Sequence, residues 1–352
     1  MTDLVDQPGA VREEDAFDVA AVHEWLSSIV DGLTGLPEVR QYPGGASNLT
    51  YLLSYPDREL ILRRPPAGQK AASAHDMRRE YAVCSTLKPY YRYAPTVLGL
   101  CTDHSVIDSD FYVMERIPGI ILRGDLPEGM SLDAGATRDL AFGVVDRLID
   151  LHQIDPASDG VAALGKGAGY VRRQVRGWTE RFGKARTDNV PDFEAVMSYL
   201  DTNQPGDSRI CVIHNDFRFD NVVLEPGTLD VIGVLDWEMA TLGDPLMDLA
   251  GMMAYWIQAD DDEVFQRARR QPTHLPGMPT RQEVVEHYSA RTGLSIQDWT
   301  FYETFGLFRL AVIMQQIYYR YHHGQTHNPA YKDFWMFVGY LEWRCRTTMG
   351  IA

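Results

Sequence analysis

The chain has 352 residues, enough for two lobes or domains, and its apolar (45%) and charged (23%) fractions are those of an ordinary globular protein. A formal charge of −16 argues against nucleic acid, whose phosphates demand a basic footprint, and fits an acidic, soluble surface. Apolar runs such as 249–256 are too short to span a bilayer, and the acidic first 18 residues are unlike a signal peptide. Four scattered cysteines with no C-x-x-C pair read as reduced, buried thiols of a cytoplasmic protein.

Apolar residues at helical spacing predict a helix over 16–33. Strand-like runs follow at 38–42, 49–55 and 59–63, the first two joined by the turn-forming Pro43-Gly44-Gly45-Ala46-Ser47-Asn48. A helix over 74–87 and strands near 96–100 and 111–116 lead to Pro118-Gly119, which breaks the chain. Strands dominate before that break and helices after it, which sets a boundary at Ile117: an N-terminal lobe over 1–117 and a C-terminal lobe over 118–352. Beyond it, helices are expected over 132–153, 170–186, 190–203, 246–258, 281–292, 296–322 and 331–347, with short strands at 209–213 and 231–235. The fold class is α+β, with a small β-rich N-terminal lobe and a large helical C-terminal lobe.

Residues 214–221 read His-Asn-Asp-Phe-Arg-Phe-Asp-Asn, an H-x-D-x-x-x-x-N pattern, and Asp236 follows Asp216 by 20 residues within Val-Leu-Asp-Trp-Glu (234–238). Phosphoryl transfer needs a carboxylate at the attacking hydroxyl, an amide oxygen on one metal ion, and a second carboxylate on the metal ions bridging the phosphates. Asp216, Asn221 and Asp236 supply those groups in that order, at the approximate spacing of a kinase catalytic loop. The chemistry implied is ATP-dependent transfer to a small-molecule acceptor. Asp216 would accept or orient the hydroxyl proton, and Asn221 and Asp236 would hold Mg²⁺, a hard cation suited to oxygen ligands.

Arg218 either stabilises charge on the transferring group or pairs with Asp220 or Glu238. His214 reads as a buried hydrogen-bonding strut, Asp244 as an N-cap before Pro245, and Asp248 as a structural brace for the catalytic loop. His322, His323 and His327 lack a zinc-site pattern and read as a solvated helix end.

A nucleotide site also needs a turn over the phosphates, a cation on the third strand and a helical Glu that holds the cation. Gly45, with Gly44, allows close backbone approach, and Ser47 and Asn48 add donors, although a Gly-Gly hairpin turn reads the same way. On the third strand an arginine replaces lysine. Arg63 shares a face with Ile61, while Leu60 and Leu62 take the opposite, packed face, so Arg63 is chosen over Arg64. Its guanidinium binds phosphate oxygens bidentately. Glu80 lies mid-way along the next helix, as the cation's partner or in an exposed pair with Arg78 or Arg79. Residues 111–114 run into a hinge where the Glu115 carbonyl and the Ile117 N–H could read the edge of adenine.

Together these residues resemble the aminoglycoside phosphotransferase superfamily. The resemblance runs from about Tyr42 onward, through Gly-Gly-Ala-Ser-Asn-Leu-Thr-Tyr (44–51), Leu-Arg-Arg-Pro-Pro (62–66), Arg-Glu-Tyr (79–81), Leu-His-Gln-Ile-Asp (151–155), the 214–221 loop, and Gly-Asp-Pro-Leu-Met-Asp-Leu-Ala (243–250). It implies the two-lobed fold of protein kinases. Tyr-Val-Arg-Arg-Gln-Val-Arg-Gly-Trp (170–178) is similar to the branch also found fused to acyl-CoA dehydrogenases in animals, which implies a hydroxyacyl-CoA acceptor by analogy.

Arg172, Arg173, Arg176, Arg181, Lys184 and Arg186 gather positive charge on one helix. Arg173 and Arg176 are the candidates to meet CoA phosphates, and the alternative is a basic face paired with acidic neighbours. Two other functions stay open. One is a nucleotide-binding pseudokinase, suggested by Arg63. The other is a true aminoglycoside kinase, whose acceptor would need an acidic cluster such as Asp260-Asp261-Asp262-Glu263.

Overall fold

The computed structural model describes residues 5–43, 48–66 and 76–351. The chain divides into two compact units, Met1–Ile121 with Asn221–Ala240, and Leu122–Asp220 with Thr241–Ala352. Residues 221–240 thus return to the first unit, an assignment that a single cut at Ile117 does not make.

Among the described residues, the first unit is built on a five-stranded antiparallel sheet in the order β1-β2-β3-β5-β4. The strands are β1 (Glu38–Gln41), β2 (Leu49–Ser54), β3 (Glu59–Arg64), β4 (Val97–Cys101) and β5 (Phe111–Glu115). Alternate side chains of a strand point to opposite faces. Leu60 and Leu62 therefore join Tyr51, Leu53 and Phe111 in one core with Val22 and Leu26 of α1 (Val19–Ser27). Ile61 joins Leu52, Tyr112 and Met114 in a second core with Met77 of α2 (Met77–Leu87). With both faces covered, β3 reads as an unbroken apolar run. The segment following α1 approaches β4 so closely that a Cβ on Gly99 would overlap Ile29 Cδ1. The predicted 16–33 helix shortens to α1 because the Asp18 side chain accepts from the Ala20 and Ala21 N–H groups and so caps its start, while Gly32 turns the chain beyond its end at φ 80°.

The returning segment forms a hairpin of β7 (Val222–Leu224) and β8 (Val231–Val234). Ile120 and Leu224 exchange main-chain hydrogen bonds at 2.8 and 2.9 Å, and Val234 N–H donates to the Tyr93 carbonyl at 2.8 Å, tying the hairpin to the first unit.

The second unit is mainly helical: α3 (Ala134–His152), α4 (Tyr170–Ala185), α5 (Glu194–Thr202), α6 (Pro245–Met253), α7 (Glu263–Arg267), α8 (Arg281–Thr292), α9 (Thr300–His322) and α10 (Phe334–Thr348). A two-stranded pair joins β6 (Cys211–Ile213) to β9 (Thr241–Gly243). α6 is buried along its whole length, and α9 packs against α4, α6 and α10. Among the described residues no helix is long and apolar enough to cross a membrane, and all four cysteines are buried.

The strands expected on either side of the 214–221 motif are present as β6 and β8. Each pairs with a three-residue strand, β9 or β7, that is too short to show a period in sequence.

Candidate active site

In the first unit, β3, α2 and the turn after β8 bring three charged side chains together. Arg63 Nη1 lies 2.7 Å from Glu80 Oε1, and its Nη2 lies 3.5 Å from Asp236 Oδ1. The Arg63 and Glu80 side chains keep only 12% and 1% of their exposure, whereas Asp236 keeps 32%. Burial raises the Glu80 carboxyl above the usual carboxylate range, and the Arg63 guanidinium pulls it back. Against burial, the charges of Glu80, Asp236 and Glu238 hold the guanidinium firmly protonated. Arg63 Nε and Glu80 Oε2 are buried without a hydrogen-bond partner. Arg64, on the opposite face, donates to Tyr51 Oη and the Asp15 carbonyl.

Asp236 takes a left-handed backbone at φ 66°, uncommon for a residue other than glycine and a form of local strain that clusters at functional sites. Arg78 and Arg79, the alternative partners of Glu80, are engaged with Asp110 and the Ala240 carbonyl. Asn48 is buried, and its amide donates to Glu238 Oε2 at 3.1 Å, so this predicted phosphate donor serves a carboxylate. Asn221 is also buried, and its carbonyl accepts from Leu235 N–H at 2.8 Å, which links it to the strand that carries the chain into Asp236. At the hinge, Glu115 is exposed at the end of β5, Ile117 is half-buried, and Arg116 is held by Glu59 at 2.6 Å. Gly45 and Ser47 lie outside the described residues.

In the second unit, Arg218 grips Asp216. Its Nε lies 3.0 Å from Oδ1, and Nη2 donates to Oδ2 at 3.1 Å, with Asp220 a further 3.5 Å contact. The guanidinium lies over the Tyr255 ring at 4.7 Å. Arg218 thus takes the ion-pair role with Asp220 foreseen as one option, and its main partner is Asp216 itself.

The backbone before Asp216 is held by Asp248 of α6, which accepts from His214 N–H and Asn215 N–H, both at 2.7 Å. Asp248 also meets His152 Nε2 at 3.1 Å, and His152 Nδ1 meets Tyr288 Oη at 2.7 Å. Burial pushes the Asp248 carboxyl up, but the His152 hydrogen bond, both neighbouring imidazoles and the His214 amide outweigh it and hold it below the usual aspartate range. Asp244 caps α6 through the Leu246 and Met247 N–H groups. His214 is buried and accepts from Asp216 N–H at 3.3 Å, as a strut does.

On α4, Arg173 donates to the Gly167 and Ala168 carbonyls. Arg176 pairs with Glu180 at 2.8 Å on an exposed face. Sequence reasoning missed Tyr255, Arg309 and the role of Tyr170. The 151–155 motif was the one signal for His152, and it carried no role.

The first unit thus holds a buried cation–carboxylate pair beside a second aspartate, and the second unit holds an aspartate on a braced loop. The chain belongs to the phosphotransferase enzyme family, whose profile matches residues 38–284. It is 34% identical over 320 residues to acyl-CoA dehydrogenase family member 10 of Mus musculus, covering 90% of this chain and 30% of that protein. It is 31% identical over 352 residues to acyl-CoA dehydrogenase family member 11 of Homo sapiens, covering 96% of this chain and 44% of that one. The chain therefore spans less than half the length of these curated relatives.

Among solved structures, a Ralstonia eutropha protein assigned as an aminoglycoside phosphotransferase superposes with a TM-score of 0.80 at 27% identity, covering 95% of this chain and 99% of that one. Choline kinase from Cryptosporidium parvum, at 12% identity and a TM-score of 0.64 with 95% and 96% coverage, shares the fold. The fold is the α+β kinase-like fold that the sequence implied.

Proposed function

We propose that this chain moves the γ-phosphate of ATP, with Mg²⁺, to a hydroxyl of a small molecule. The observation that carries this reading is the Arg63–Glu80–Asp236 cluster, where a buried Nε has no acceptor and a carboxylate remains about one-third exposed. An orphaned buried donor costs about 1–3 kcal/mol, and a phosphate oxygen at Arg63 would satisfy it. Asn221 and Asp236 offer the oxygen donors that a hard divalent cation prefers. When bound, Mg²⁺ offsets charge on the bridging phosphate oxygens.

In this reading Arg63 binds α and β phosphate oxygens and Glu80 keeps the guanidinium in place. The Glu115 carbonyl and Ile117 N–H read adenine. Asn48 orders Glu238. Asp216 accepts or orients the proton of the acceptor hydroxyl, and Arg218 fixes the direction in which that carboxylate points. The intact Asp216, Asn221 and Asp236 set favours transfer over a pseudokinase.

For the acceptor we propose a hydroxyacyl-CoA-type metabolite, supported by relatives named as acyl-CoA dehydrogenase family members. A polycationic aminoglycoside finds less support. Asp261 is taken up by Arg281 at 2.6 Å and Arg344 at 3.2 Å, and Asp262 accepts from Tyr340 Oη and the first N–H groups of α7.

Incubation with γ-labelled ATP, Mg²⁺ and a metabolite pool containing hydroxyacyl-CoA thioesters tests the reading. A labelled product that requires Asp216 supports it. Mg-ATP binding with no transfer to any hydroxyl would leave a pseudokinase, and kanamycin-type resistance on expression in a susceptible host would point to an aminoglycoside acceptor.

A further inference from the structure

Asn215, the residue directly before Asp216, stands in a left-handed conformation at φ 67°. Asparagine tolerates this region better than most residues, but something must still hold it there. Three of its polar groups are caught, each by a different helix. Its N–H donates to Asp248 Oδ1 of α6 at 2.7 Å, its carbonyl accepts from Arg309 Nη2 of α9 at 2.6 Å, and its side-chain Oδ1 accepts from Tyr170 Oη of α4 at 2.8 Å.

The groups that hold Asn215 are themselves fixed. Arg309 is buried although charged, and its guanidinium lies 5.4 Å from the centre of the Trp178 ring, one face of a ring that Arg181 also covers at 4.6 Å. Gly251 of α6 leaves room for it, because a Cβ there would stand 2.9 Å from Arg309 Nη1. Tyr170 is buried at the first position of α4, where the Asp207 carboxylate accepts from the Gly169, Tyr170 and Val171 N–H groups. Tyr170 and Trp178 are the two ends of the 170–178 segment. The arginines between them drew attention in the sequence, yet the ends of the segment face inward.

We propose that Tyr170, Arg309 and Trp178 form a clamp that positions the Asn215–Asp216 peptide, so that these three residues set the turnover rate through Asp216 without touching substrate. The proposal rests on the reading of Asp216 as the group that meets the acceptor hydroxyl. Its physical basis is that a misplacement of about 1 Å at a reacting group costs on the order of 10²-fold in rate. Because a peptide plane is rigid, the Asn215 carbonyl and the Asp216 N–H move together, and releasing one releases the other. Tyr170 and Arg309 are positioning residues, since they act through Asn215.

The test uses the full chain, with Mg-ATP and water as the acceptor, in Tyr170→Phe, Arg309→Lys and Arg309→Met, alongside Asp216→Asn. Amide hydrogen exchange across 214–221 is followed in the same proteins. We expect kcat for ATP hydrolysis to fall about three- to ten-fold in Tyr170→Phe and about 10²-fold in Arg309→Met, with part of the loss recovered in Arg309→Lys and KM for Mg-ATP unchanged. Exchange at Asn215 and Asp216 should quicken about ten-fold or more while amides of the first-unit sheet keep their wild-type rates. Unchanged exchange at 215–216 in both Tyr170→Phe and Arg309→Lys overturns the clamp, and so does a loss confined to KM. If Arg309→Met fails to fold, the two conservative variants decide. If Asp216→Asn hydrolyses ATP as wild type does, or wild type hydrolyses none, the Asp216 reading fails separately, and exchange alone judges the clamp.

Discussion

Arg218 reaches Asp216 twice, Nε to Oδ1 at 3.0 Å and Nη2 to Oδ2 at 3.1 Å, while the Tyr255 ring lies 4.7 Å from the guanidinium on one face. Nη2 makes a directed hydrogen bond to one carboxylate oxygen, while Nε, outside hydrogen-bond geometry, adds charge beside the other. A lysine in the same place keeps the charge and loses the directed Nη2 donor. We therefore expect Arg218→Lys to lower kcat about ten-fold with KM for Mg-ATP little changed, and Arg218→Ala to lower it about 10²-fold. If Arg218→Lys retained wild-type turnover in a steady-state assay, point charge alone would explain the residue. The orienting role would then be wrong.

The Arg63–Glu80 pair makes a different prediction, because both side chains are nearly sealed from water. Removing one charge from a buried pair leaves the other uncompensated, at a cost of about 3–5 kcal/mol. Glu80→Gln should destabilise the first unit by an amount in that range and raise KM for Mg-ATP, with a smaller change in kcat. Arg63→Lys keeps a cation on β3 and should bind nucleotide more tightly than Arg63→Met in a calorimetric titration. Equal binding by the two would remove Arg63 from the nucleotide site.

Asp248 gives a pH prediction whose sign follows from its depressed carboxyl. A carboxyl lowered in the folded state contributes stability that is fully present above the unfolded value, about 3.9 for aspartate, and is lost as pH falls through the folded pKa. Asp248→Asn cannot titrate, and its amide meets two N–H donors with one oxygen. Wild type should be more stable by about 2–4 kcal/mol at neutral pH. That gap should hold down to about pH 5 and narrow below about pH 4, as read from urea midpoints followed by tryptophan fluorescence. A gap that widened in acid would contradict the assignment.

The relation between sequence and structure differs from one part of the chain to another. Asp216, Asn221 and Asp236 could be singled out because a spacing motif survives in one dimension, and the opposite faces of Arg63, paired with Glu80, and Arg64, bound to the Asp15 carbonyl, followed from the two-residue period of β3. Arg309 and Tyr255 were not legible, since they reach the 214–221 loop from helices distant in sequence and belong to no spacing pattern. The hairpin of β7 and β8 was missed for a related reason: three residues are too few to show a period, so the return of 221–240 to the first unit had no local signal. In α4 the conspicuous arginines drew the reading, while the functional geometry lies with the buried Tyr170 and Trp178.

Those arginines still carry one prediction. Arg173 is committed to the Gly167 and Ala168 carbonyls, which close the loop before α4. Arg176 differs, because its side chain keeps 82% of its exposure and its partner Glu180 keeps 51%. A solvent-exposed pair of this kind contributes little, so Glu180 is easily exchanged for a ligand phosphate. Six residues at 1.5 Å rise put Arg176 roughly 9 Å along the helix from Tyr170, within reach of an extended acceptor. If the acceptor carries CoA, Arg176→Ala should raise its KM about ten-fold with kcat and KM for ATP unchanged, the signature of lost uniform binding. Arg173→Ala should act mainly on stability, by about 0.5–1.5 kcal/mol per lost hydrogen bond. An acceptor KM that stays at the wild-type value in Arg176→Ala, measured with a CoA thioester that wild type phosphorylates, would remove α4 from the acceptor site.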